Sequence, residues 1–154
     1  MEAVKNTVRW EIIDLDDRIE NIEKFAEKLE EIKEIEKVLL KSDLKDITTI
    51  SIIYDWVEEL CANRSDIESF KYDTKHYFLL ISALIYSPRI FARKSLERGK
   101  RNAIANVLRI SPPHVSNSLK NVCYWYRIYG DFKKSFKYLY NEILNRIEIN
   151  GLRQ

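Results

Sequence analysis

Between residues 9 and 41, Ile12, Leu15, Ile19, Ile22, Ala26 and Leu29 recur at alternating three- and four-residue spacings, with charged residues between them. That is a heptad seam on one face of a helix. After Leu29 the apolar positions shift to Ile32, Ile35 and Leu39, a break that ends or overwinds a coiled coil. The segment reads either as a dimerisation helix or as an amphipathic helix packing on the rest of its own chain. Ser42 and Asp43 offer N-caps for a second helix, in which Leu44, Ile47, Ile50, Ile53, Tyr54, Val57 and Leu60 keep helical spacing. The β-branched run ITTISII suits a strand on propensity alone, but its phase carries on into WVEEL, which favours a helix. ANRSDIES then supplies a break and a possible capping box from Ser65 to Glu68.

TKHYFLLISALIY, starting near Asp73 or Thr74, is apolar on nearly every side and predicts the central buried helix. Ser87 followed by Pro88 has the chemistry of a helix start, and RIFARKSLERG predicts a helix closed by Gly99. Ile104, Ala105 and Leu108 form the apolar face of the next short helix. Ser111 caps a further one with Pro112 at its first position, and Val115, Leu119 and Val122 continue the inward face. That helix runs to about Tyr129, breaks at Gly130-Asp131, and is followed by one bearing Phe132, Phe136, Leu139, Tyr140, Ile143 and Ile147 on one side. The pattern is that of an all-α, multi-helix single domain, organised as an N-terminal amphipathic helix at 1–41 and a helical domain at 42–154.

The corner IANVLRISPPHVSNSL resembles the helix-turn-helix of bacterial and phage transcription regulators. Ile104, Ala105, Leu108, Ile110, Ser111, Val115, Ser116 and Leu119 carry the likeness, which spans about residues 101–122 of 154. Arg109 departs from the pattern, which usually has glycine where the turn takes positive φ. The resemblance implies that the second helix enters the major groove and presents Pro113, His114, Ser116, Asn117 and Lys120 to base edges. Asn117 is the strongest reader among them, because its amide can make a bidentate pair with adenine. Arg93, Lys94, Arg98, Lys100, Arg101 and Arg109 are then the expected phosphate contacts. The other reading of the corner is a helical hairpin that merely packs.

Charge sharpens this picture. The chain's net charge of +2 hides an uneven distribution: residues 1–74 hold 20 acids and 11 bases, whereas residues 75–154 hold 4 acids and 15 bases. Residues 89–109 carry seven bases against Glu97 alone. A basic half of this kind suits a polyanion such as nucleic acid, or else an acidic half docked against it. The aromatic run Tyr124, Trp125, Tyr126, Tyr129, Phe132, Phe136, Tyr138 and Tyr140, interleaved with Lys133, Lys134 and Lys137, allows core packing or stacking on unpaired bases.

Chemistry beyond binding has little to rest on. The chain has three glycines, two histidines (His76 and His114) and two distant cysteines (Cys61 and Cys123), with no CxxC, HExxH or G-x-S-x-G motif. Neither an enzyme nor a cofactor is expected. No membrane-spanning run is present: the longest apolar stretch, at 77–86, is ten residues interrupted by Ser82. The expectation is a cytoplasmic, dimeric regulator of transcription that binds double-stranded DNA sequence-specifically. Its rivals are a helical protein-interaction adaptor and a single-stranded nucleic-acid or RNA binder.

Overall fold

The computed structural model describes residues 14–63 and 72–153, and over these the chain is all α-helix and turn. It divides into two compact units, residues 1–39 and 40–154, a boundary two residues before the one expected. The first unit contributes α1, Leu15–Leu39. Its ladder of ion pairs, Lys24–Glu20 at 3.1 Å, Lys33–Glu30 at 3.4 Å and Lys37–Glu34 at 2.9 Å, is the one-turn spacing that supports a solvated helix. Leu15, Ile19, Ile22, Phe25, Leu29 and Ile32 remain exposed along it. Ile12 and the Ser65–Glu68 capping box lie outside the described residues.

The second unit is built around α3, Thr74–Tyr86. Every residue from Tyr77 to Ala83 is buried, followed by Ile85 and Tyr86, so the largely apolar run does become the central helix. Around it pack α2 (Ile50–Ala62), α4 (Arg98–Leu108), α5 (Pro112–Ile128) and α6 (Gly130–Ile149). A 3-10 turn at Ile47–Thr49 precedes α2. The residue that caps it is Asp46, whose Oδ1 accepts from the Thr48 amide at 2.9 Å and the Thr48 hydroxyl at 2.7 Å. Ser42 and Asp43, expected to cap a helix, instead close the end of α3. The Ser42 hydroxyl donates to the Tyr86 carbonyl at 2.7 Å, and the Asp43 amide donates to the Ile85 carbonyl at 2.8 Å. Both satisfy carbonyls that the last turn of a helix leaves without intrahelical donors.

A larger correction concerns residues 88–99. Pro88 starts only a 3-10 turn, Pro88–Ala92, which stops at Arg93 in the left-handed region with φ 60°. The chain then runs without helix through residues 94–97, and Gly99 lies in the first turn of α4. Arg89 holds this loop, its Nε donating to the Ser95 carbonyl at 3.2 Å and its Nη1 lying 3.7 Å from Glu97.

The aromatic run mostly enters the core. Phe132 stacks on Tyr77 at 5.0 Å and 8°, and meets Tyr72 edge-on at 5.0 Å and Trp125 edge-on at 5.9 Å. Burial pushes the Tyr77 hydroxyl up to about 12. Tyr126, Phe136 and Tyr140 extend the cluster, leaving Tyr124, Tyr129 and Tyr138 exposed. No helix among the described residues is long and apolar enough to cross a membrane.

Candidate nucleic-acid interface

α4, a three-residue turn and α5 form the corner. Ile104, Ala105 and Leu108 on α4 and Val115, Leu119 and Val122 on α5 are all buried. Ala105, at 3% exposure, has no bulk beyond Cβ, which permits the close approach of α4 to its neighbours. The turn closes α4 in a Schellman arrangement: the Ile110 amide donates to the Ala105 carbonyl at 3.1 Å, and the Arg109 amide to that of Asn106 at 3.3 Å. Arg109 occupies the left-handed position at φ 57° and ψ 44°, where glycine is the residue without a steric penalty. Arg109→Gly is therefore expected to raise the unfolding free energy by about 0.5–1 kcal/mol in urea titrations, while removing one exposed cation from the corner.

Ser111 caps α5 as its sequence suggests. Its Oγ accepts from the His114 amide at 3.3 Å, and its carbonyl accepts from the Val115 amide at 3.2 Å. Pro112 and Pro113 start the helix and provide no amide hydrogens, so its N-terminus is a weaker anion seat than most.

Of the five expected base-reading residues, Pro113, His114, Asn117 and Lys120 are exposed, and Ser116 is half-buried beside them. The same exposed face continues along α5 through Asn121, Tyr124 and Arg127. Sequence reasoning passed over Asn121 and Arg127 and placed Tyr124 only within the aromatic run. The signal was there: from Asn117 the positions 120/121, 124 and 127 repeat the helical period opposite Val115, Leu119 and Val122.

A groove of about 380 Å³ lies between this face and the loop after the 3-10 turn. Arg93 and Lys94 line it on the loop side, and Ser116, Lys120 and Arg127 line it on the α5 side. Ile90, Leu96 and Leu119 provide its apolar surface, with Cys123 and Tyr124 alongside, and no carboxylate among the described residues lines it. Burial pushes the Cys123 thiol up, with nearby Arg127 pulling the other way, so this thiol has little thiolate character for reaction or metal binding. Cys61, on α2, is likewise half-buried.

The expected phosphate contacts separate. Arg93, Lys94, Arg98 and Arg109 are exposed. Arg101 is half-buried, with its Nε shielded from solvent and without a hydrogen-bond partner among the described residues. Lys100 is turned inward: its ammonium donates to the Tyr86 carbonyl and lies 3.2 Å from Glu97, with its side chain 15% exposed. It closes the end of the central helix, together with Ser42, and is a structural residue. Lys100→Met keeps the stem and removes the charge; it is expected to cost about 1–2 kcal/mol in chemical denaturation.

The two histidines stand apart: His114 is exposed on α5, and half-buried His76 meets Trp125 edge-on at 4.8 Å. No group of three or more His, Cys, Asp or Glu residues among the described residues is arranged to hold a metal ion. The chain matches no protein-family model, and no curated protein or solved structure is significantly similar to it.

Proposed function

We propose that the protein binds double-stranded DNA through α5 and acts as a regulator of transcription. The observation that carries this reading is the exposed face of α5, on which His114, Asn117, Lys120 and Arg127 lie beside a groove edged by Arg93 and Lys94, with no carboxylate among the described residues that line it. Asn117 offers a base edge both a donor and an acceptor, and Lys120 can reach guanine or a phosphate. Arg93, Lys94, Arg98, Arg109 and Arg127 supply the sequence-independent attraction, and counterion release makes that attraction salt-dependent.

The N-terminal helix supports a dimeric form. Its exposed apolar stripe suits pairing with a second copy, and a two-fold dimer reads two half-sites about 34–36 Å apart or a multiple of that. A palindromic operator is the corresponding expectation, and sedimentation of the full chain measures the dimer.

The test is a mobility-shift titration on a random duplex pool at several salt concentrations. With four or five phosphates neutralised per protomer, log Kobs is expected to fall with log salt at a slope of about −4 per protomer. Selection from the pool should also return a consensus. Binding that does not change with salt, or a pool that returns no consensus, contradicts the reading.

A further inference from the structure

The groove beside α5 differs from an ordinary phosphate track. A strand backbone needs cations along an open surface, whereas here four cations, Arg93, Lys94, Lys120 and Arg127, edge a concavity whose walls include Ile90, Leu96 and Leu119. Its volume of about 380 Å³ lies within the range of about 300–1,000 Å³ typical of small-molecule sites, which combine apolar walls with a few placed polar groups. Four positive side chains, with no carboxylate among the described residues of the lining, select against cations. The apolar walls favour an occupant with a ring or hydrocarbon body over a bare inorganic ion, because burying that body is the larger source of affinity.

We propose that this groove binds a small organic anion with an aromatic or apolar body, of the aryl carboxylate or sulfonate class, and that its occupation excludes DNA from α5. The exclusion rests on the DNA-binding reading. It follows from shared residues: Ser116 and Lys120 line the groove and also belong to the face of α5 assigned to base contact. A seated anion neutralises Lys120 and Arg127 and fills the space beside Ser116. Anion and duplex then compete for the same side chains, and by linkage each lowers the affinity of the other.

The probe is 8-anilinonaphthalene-1-sulfonate on the full chain, with N-phenyl-1-naphthylamine as the same ring system lacking the sulfonate. The sulfonate dye is expected to saturate at one site per chain and to bind at least tenfold more tightly than the amine. Arg93→Gly combined with Arg127→Gln should abolish that tenfold preference. Arg93 is at a left-handed position that glycine adopts without strain and Arg127 is exposed, so the fold is preserved; Lys120→Met is a second, independent variant with the same expectation. Lys133→Ala with Lys134→Ala, exposed on α6, should leave dye affinity within twofold. Equal affinity for the two dyes, or a preference that survives loss of the groove cations, overturns the site. In the second arm, random duplex is expected to displace the sulfonate dye. Duplex that binds alongside the dye overturns the exclusion and leaves DNA binding standing. Protein that binds the dye but no duplex overturns both DNA binding and the exclusion, while the anion site stands.

Discussion

Phe132→Ala is expected to lower the unfolding free energy by about 3–5 kcal/mol, the cost of removing a large buried ring from a core that relaxes only in part. Phe132 is fully buried near the start of α6 and joins three segments at once. It stacks on Tyr77 of α3, meets Trp125 of α5 edge-on, and lies 6.4 Å from Phe136 one turn along its own helix. Tyr72, which precedes α3, completes the ring of contacts at 5.0 Å. These neighbours are rigid and each is held by other rings, so the space left by alanine cannot close without shifting a helix. Urea denaturation checks the figure, with Tyr138→Ala, at an exposed position, expected within about 0.5 kcal/mol of the parent. A loss below about 1 kcal/mol for Phe132→Ala would mean that the aromatic cluster repacks freely.

The second large effect belongs to specificity. Asn117→Ala is expected to lower discrimination at one base pair of the selected site by about 1–3 kcal/mol, roughly 5- to 150-fold, with little change in affinity for random duplex. Asn117 lies in the second turn of α5, exposed and flanked by half-buried Ser116 and Ser118. Its amide presents one donor and one acceptor to a base edge, whereas alanine presents neither. Arg98→Ala, at an exposed cation on the first residue of α4, should weaken all sequences alike and reduce the salt slope by about 1. Competition assays with the consensus and its single-base variants measure both. If the two substitutions weaken every sequence equally, Asn117 contacts the backbone and reads no base.

The fold was legible where one physical signal acted alone. α3 is apolar on nearly every side beyond its first turn and had nowhere to go but the centre. The corner was legible because Ile104, Ala105, Leu108, Val115, Leu119 and Val122 share a helical phase, and all six are buried. Legibility failed where tertiary bonds decided. Nothing in RIFARKSLERG marks Arg93 as a left-handed stop, since arginine rarely takes that conformation. Gly99 was misread as a helix end because glycine is common there. Ser42 and Asp43 have capping chemistry, but a distant helix end uses it. Lys100 resembles its basic neighbours in sequence, and only the position of the Tyr86 carbonyl distinguishes it. In the candidate site, exposure of His114, Asn117 and Lys120 followed from helical phase. Arg127 and Tyr124 were obscured by an aromatic run whose other members are mostly core.

Tyr129 is at once the C-cap of α5 and the N-cap of α6. With a single residue between them, the two helices have no slack, and α6 is anchored through Phe132, Phe136, Leu139 and Ile143 to the interior of the domain. α5 is thus mounted like a blade in a fixed handle: it cannot pivot to suit a poorly matched surface without dragging core aromatics out of contact. If α5 docks on DNA as proposed, it would select by shape already set, and the energetic penalty for a mismatch would fall on the duplex, which would have to do the bending.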